Sequence, residues 1–386
     1  MKRLMTFALL CAALFCFAFA ASAADDGGLV AVAFRGDTSA YPPNSQKAIE
    51  SAFDAGADYV SVSVQKTADG AFVLLEDRAL SVQCDAEEGE ISSFKLSDVQ
   101  KLHLKNLNGT VSNEPVATLE EALAVAQGKG GLILDNAWAY RDELSAFFGS
   151  RSAVIPVCLR TVVSAKHAQQ WQQESGTVVS VLPVYRGNVV FNAIAHWNRL
   201  QTANMPLVQF QSKNYFNVFY QKFTAKRFHA NSRVSALAPT YDPILCGRRP
   251  DDVTGWDDLI SRGFSAIETG NIRGLSAYIR QTETERTALE ALIEQAEGIP
   301  HTKGTALEEA YLTAIDTHAE KRASLSQLQS AESALQSELR LLTPVGENEP
   351  RPGDWQVTPG KIIVILIFGA LLLGFDVFVY KKKKKV

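Results

Sequence analysis

From residue 29 to about 280 the chain alternates short β-rich runs with helix-patterned ones. The β runs fall at 29–34, 58–64, 131–135, 153–159, 177–184, 206–210, 233–238 and 264–268. Several are apolar almost throughout, as strands covered on both faces are. Between them, 45–55, 119–127, 142–148, 163–174 and 257–262 carry helical spacing. Thr118, with Glu121 three residues on, is a capping-box start signal. Strands alternating with helices over this length predict an α/β fold, a (β/α)8 TIM barrel spanning 24–281. The rival is an open doubly wound sheet. No glycine-rich phosphate loop follows the first strand, which counts against it.

Past the barrel the pattern changes. Residues 282–342 are rich in Glu, Ala, Leu, Gln and Lys, and Pro300 and Gly304 split them into two helical stretches, a hairpin or a stalk. Leu325, Leu328, Leu335, Leu339 and Leu342 share one helical face. That face serves either packing against the barrel or self-association through 323–342. Four prolines then stiffen a linker at 343–360.

Both ends are apolar. Residues 362–380 are interrupted only by Asp376, and at 1.5 Å per residue such a run spans about 28 Å, close to the hydrocarbon thickness of a bilayer. We expect a single transmembrane helix at 361–380, with the lysines of the 381–386 tail marking the cytoplasmic side. At the other end Lys2 and Arg3, an apolar stretch and Ala21-Ser22-Ala23 form the three parts of a signal peptide, 1–23. The expected product is a single-pass membrane protein whose N-terminal part is extracytoplasmic.

Charge and cysteine content narrow its partners. Setting aside eight basic residues and one acidic residue at the ends leaves 30 basic and 41 acidic residues in 24–360, a formal balance of −11. An acidic domain without a basic stripe is a poor nucleic-acid binder. Cys84, Cys158 and Cys246 remain, enough for one disulfide at most, so cohesion has to come from an apolar core. His103, His167, His196, His229, His301 and His318 all lie away from the carboxyl ends of the expected strands, where barrel enzymes place catalytic groups.

Val32-Ala-Phe-Arg-Gly36, Tyr41-Pro-Pro-Asn-Ser45 and the run from Gly56 to Gln65 carry a resemblance, over residues 32–123, to the glycerophosphodiester phosphodiesterase family. Val32-Ala-Phe-Arg-Gly36 stands where that family has an apolar pair followed by His-Arg-Gly, and Tyr41-Pro-Pro-Asn-Ser45 stands for its Pro-Glu-Asn-Thr. Gly56-Ala-Asp-Tyr-Val-Ser-Val-Ser-Val-Gln65 follows Gly-Ala-Asp-x-x-Glu-x-Asp-Val-Gln, and the run from Phe72 to Leu80 replaces a segment ending His-Asp-x-x-Leu. Near the barrel's end, Gly263 to Asn271 looks like the family's closing strand. The resemblance implies a TIM barrel and hydrolysis of phosphodiesters, with two histidines moving protons and a carboxylate-bound divalent cation neutralising charge.

The chemistry does not come with the framework. Phe34 and Glu76 hold the histidine positions, Ser61 and Ser63 hold those of the paired metal carboxylates, and Pro43 replaces the Glu before Asn44. Arg35, Asn44, Asp77 and an acid at the third strand's end, Asp135, persist and are the ligand-binding candidates together with Glu76. Arg35 is placed either to fork onto a phosphate or to pair with Glu76, Asp77 or Asp135. Other strand ends bring Arg160, Arg186, Gln209, Gln211, Tyr241 and Glu268 to the mouth. These readings predict a pseudoenzyme with no cofactor that binds a polyol phosphate, a sugar or a protein partner. The alternative is an active glycerophosphodiester hydrolase of lipid or glycerol metabolism, with Mg²⁺ or Ca²⁺ in a rearranged site around Asp135.

Overall fold

The computed structural model describes residues 28–86, 88–151, 155–186, 199–200, 203–211, 234–240, 250–300 and 302–342. The expected signal peptide, linker, transmembrane helix and cytoplasmic tail lie outside these residues. Among the described residues no helix is long and apolar enough to cross a membrane. The chain divides into two compact units, Met1–Gln336 and Ser337–Val386. Of the second, residues 337–342 are described and continue a helix.

Eight parallel strands close the barrel. They are β1 (Val30–Phe34), β2 (Tyr59–Lys66), β6 (Gly131–Asp135), β7 (Val157–Thr161), β8 (Ser180–Arg186), β9 (Leu207–Gln211), β10 (Ser235–Pro239) and β11 (Ala266–Thr269). The ring runs β1-β11-β10-β9-β8-β7-β6-β2 and shuts by pairing β1 with β2, Val32 opposite Tyr59. A short β3 (Phe72–Leu74) adds antiparallel to β2 outside the ring, and Asp69-Gly70 turns between them, Gly70 at φ 86°. The two faces of the strands build two cores. Outward residues such as Val60, Val62, Leu132 and Leu134 pack under the helices. Inward ones, Val30, Val32, Tyr59, Ile133, Cys158, Leu182, Val184, Leu207, Leu237 and Ala266, fill the lumen. The lumen is a packed apolar floor, not a pore.

Local chemistry sets the helix starts. In α1 (Gln46–Asp54) the Ser45 hydroxyl accepts from Ala48 N at 3.1 Å, and Ala48, Ile49, Ala52 and Phe53 are buried on one stripe. In α2 (Leu119–Ala126) the capping box forms as the sequence indicates: Glu121 N donates to Thr118 Oγ1 at 3.1 Å, and Thr118 N to Glu121 Oε2 at 2.7 Å. Helix α3 (Arg141–Gly149) follows, then α4 (Ala165–Ser175), which begins two residues later than expected because Ser164 caps it. Helix α5 (Val253–Ser261) begins a turn earlier than expected, where Asp252 accepts from Thr254 N and Gly255 N. β8 likewise starts at Ser180 rather than 177, since its ladder begins where Ser180 meets Cys158.

Two regions depart from the expected plan. Between β3 and β6 lie a hairpin, β4 (His103–Lys105) with β5 (Val111–Pro115), and two helices of one turn, Leu80–Gln83 and Leu96–Val99. They hold a separate apolar cluster that includes Leu80, Cys84, Ile91, Val99 and Leu104. Beyond the barrel there are three helices, α6 (Ile272–Glu297), α7 (Ala306–Ala319) and α8 (Leu325–Leu342), where two stretches were expected. Helix α6 runs unbroken through position 281, the expected domain boundary. The first turn of α8 is tied back: Leu325 N donates to Tyr278 Oη at 3.1 Å, and Ser326 N to Asp257 Oδ1 at 3.0 Å. Just before it, buried Arg322 reaches Ser235 Oγ at 3.3 Å, at the foot of β10. Leu325, Leu328 and Leu335 are buried, so this part of the apolar face is spent within the chain.

Candidate functional site at the barrel mouth

The carboxyl ends of the strands carry a polar layer above the apolar floor. Three non-glycine residues sit at positive φ among the described residues, Arg35 (59°), Asn44 (63°) and Asn136 (59°), at the turns that follow β1, precede α1 and follow β6. Such backbone conformations cost energy and are kept where surrounding bonds over-determine them. Here Arg35 N donates to Ser61 O at 2.9 Å, Asn44 N to Arg35 O at 3.0 Å, and Ser63 N to Asn44 Oδ1 at 3.0 Å. These three bonds lock the β1–α1 turn onto β2.

On that turn Arg35 Nη2 pairs with Glu76 Oε1, so of the two roles open to Arg35 the ion pair is the one formed. The guanidinium also lies 4.3 Å from the centre of the Phe34 ring, a cation–π contact. Glu76 is held by amides that the sequence did not single out. Its carbonyl accepts from Gln65 Nε2 at 2.9 Å and Asn136 Nδ2 at 3.0 Å, and its N–H donates to Gln83 Oε1 at 2.8 Å. Asp77 is exposed, and its backbone N–H donates a long 3.5 Å bond to the same Gln83 Oε1.

The second group centres on Arg160. Its Nη1 donates to Asp135 Oδ2 at 3.1 Å and its Nη2 to Glu268 Oε1 at 2.6 Å. Glu268 is fully buried and Arg160 is 10% exposed. Loss of solvent pushes the Asp135 carboxyl up to about 6; Arg160 and Arg35 oppose the shift, while Glu268 and Glu76 add to it. Asp135 Oδ1, Glu268 Oε2, Asn44 Nδ2 and both amide atoms of Gln209 are buried without a hydrogen-bond partner. At the rim Arg186 Nε donates to Gln211 Oε1 at 3.0 Å, apart from both groups. Tyr241 lies outside the described residues, as do His196, His229 and His301. His103 lies on β4, pairing with Asp85 at 3.0 Å, and His167 and His318 are in helices α4 and α7.

A divalent cation needs several hard oxygen ligands, chiefly carboxylates. The Ser61 hydroxyl is directed at Ala33 O, 3.4 Å away, and one oxygen of Asp135 is already on Arg160. Among the described residues no three His, Cys, Asp or Glu side chains are grouped as a metal site requires. The described side chains do not fit the cation.

The sequence pattern of the Glycerophosphoryl diester phosphodiesterase family matches residues 35–170. A glycerophosphodiester phosphodiesterase of Caldanaerobacter subterraneus subsp. tengcongensis is 30% identical over 103 residues, covering 26% of this chain and 42% of that relative, less than half its length. The fold is shared with a glycerophosphoryl diester phosphodiesterase of Parabacteroides distasonis, at TM-score 0.53 and 18% identity, over 68% of this chain and 90% of that one. Residues 35–170 thus carry the sequence pattern of the glycerophosphodiester phosphodiesterase family, on a closed barrel of the fold seen in that solved structure.

Proposed function

We propose that this chain is a non-catalytic member of its family, a binding domain held on the outer face of a membrane by the 361–380 helix after removal of the 1–23 signal peptide. One observation carries the reading. At the mouth, Phe34 and Ser61, Ser63 stand where the family's first proton carrier and metal carboxylates belong, and two acids present there are engaged by arginines, Glu76 by Arg35 and Asp135 by Arg160. Phenylalanine carries no proton, and a neutral hydroxyl is a weak ligand for a hard cation. The interleaved donors and acceptors of the mouth suit a polyhydroxyl ligand, a polyol phosphate or a loop of a protein partner.

The test is hydrolysis of glycerophosphodiesters by the purified full-length chain with Mg²⁺, Ca²⁺ or Mn²⁺. No turnover above the uncatalysed rate is expected. Turnover abolished by Asp135→Ala or Glu76→Gln would overturn the reading and establish the alternative, a hydrolase with a rearranged site. That alternative draws on the raised Asp135 carboxyl, a group able to hold a proton at mildly acid pH.

A further inference from the structure

The fold family implies a divalent cation at this mouth and the side chains do not fit one. We propose that Arg160 takes its place: a tethered, resident cation whose guanidinium pairs with both lumen carboxylates and closes the barrel to divalent metals. The inference rests on the non-catalytic reading above and goes beyond it by naming what the catalytic ion was exchanged for.

Topology makes the case. Around the closed ring β7 and β11 stand four places apart, so in an eight-strand barrel they face each other. Arg160 on β7 therefore reaches across the lumen to put Nη2 on Glu268 Oε1 at 2.6 Å, while Nη1 holds Asp135 Oδ2 on neighbouring β6 at 3.1 Å. One side chain thus joins two acids from opposite sides of the mouth, as a central metal ion would. Beneath it the floor is apolar, Val32, Ile133, Cys158, Leu182 and Leu237, and offers no lower ligands.

Charge argues the same way. Without Arg160 the two lumen carboxylates would lose the counter-charge bonded to them, leaving among the described groups Arg35, itself paired with Glu76, a state that attracts cations. With it a small dication would have to settle beside a full positive charge, against direct repulsion. A guanidinium is also the cation that tolerates this place, being weakly hydrated and shaped to serve two carboxylates at once. Asp135 Oδ1 and Glu268 Oε2 remain buried and unpartnered, so each acid has a free oxygen that a cation could use once the arginine is gone.

The experiment is Mn²⁺ binding to the full-length chain in detergent, read by loss of the free-ion paramagnetic resonance signal. The wild type is expected to show no saturable site. Arg160→Met is expected to gain one, at about 10⁻⁴–10⁻³ M as for other sparse carboxylate sites. Adding Asp135→Asn to that variant should abolish it, and Arg160→Lys, which keeps the charge, should bind nothing. If circular dichroism shows Arg160→Met unfolded, Arg160→Gln, whose amide can still bridge to one acid, carries the same expectation. A saturable wild-type site lost in Asp135→Asn overturns the proposal, as does a folded neutral variant without a site. Diester turnover by a wild type that binds no Mn²⁺ would defeat the non-catalytic reading instead and leave the exclusion of metal standing.

Discussion

Two parts of the mouth lie side by side and have fared differently. In the corner between β1 and α1, Arg35, Gly36 and Asn44 keep left-handed backbone, and Asn44 still stitches the turn to Ser63 on β2. In the lumen the side chains form an ion cluster, Arg160 held between Asp135 and Glu268. The corner works through backbone: its left-handed φ values are held by main-chain bonds, with the Asn44 side chain adding one. The lumen works through side-chain charge, where one cation can be exchanged for another while the barrel stays closed. Framework and mouth chemistry therefore draw on different physical terms, and one can change while the other is kept.

The sharpest way to break this comparison is to remove the lumen's cation. Arg160→Met strands two buried carboxylates and is expected to cost about 3–5 kcal/mol, the usual penalty for breaking a buried pair from one side. Urea titration of the variant at neutral pH measures it. A cost below that of an average surface substitution would mean that the acids are solvated and that the cluster holds little together. In the corner, Gly36→Ala is expected to cost about 3 kcal/mol. At φ 89° any side chain is strained, and a Cβ here would sit 2.6 Å from the backbone carbon of Ala48, which cannot withdraw without moving α1.

How much of this was legible beforehand follows the same division. The eight strands stood out because both their faces are buried, which writes continuous apolar runs into the sequence. The insertion between β3 and β6 did not, since helices of one turn, a strand of three residues and a largely exposed strand of five carry too little apolar period to register. At the mouth, alternation along each strand placed Asp135, Arg160, Gln209 and Glu268 on one side of the sheet. It could not pair them: Arg160 meets partners 25 and 108 residues away, and contacts across a lumen leave no mark in local spacing. Gln65, Gln83 and Asn136, which pin Glu76, were missed because neutral amides carry no chemical signature of their own.

Asp135 offers a smaller effect with a defined sign. Its carboxyl is pushed from the usual 3.8 to about 6, facing Arg160, Glu268, Arg35 and Glu76, so between those values the folded chain holds more proton than the unfolded one. Its contribution to stability is therefore greatest in acid and is lost as pH rises through about 6. The stability of the wild type relative to Asp135→Asn should fall by about 1–3 kcal/mol between pH 4 and 7. A difference that is flat with pH, or that rises, would mean that Arg160 dominates over desolvation and holds the acid ionised throughout.

The finest cut compares two serines, one from each region, both fully buried. Ser45 accepts from Ala48 N at 3.1 Å and so satisfies one of the free N–H groups at the start of α1. Ser61 has its hydroxyl 3.4 Å from Ala33 O, a long bond to a carbonyl on a neighbouring strand. Ser45→Ala should cost about 1 kcal/mol, the ordinary price of a lost cap. Ser61→Ala should cost about 0.5 kcal/mol or less, since a long bond contributes little and no charge depended on it. Equal burial with unequal cost is what separates a hydroxyl that caps the backbone from one that makes a long bond across two strands. If Ser61→Ala proves the costlier of the two, the hydroxyl is part of a bound arrangement at the mouth, and the lumen is more than an ion cluster.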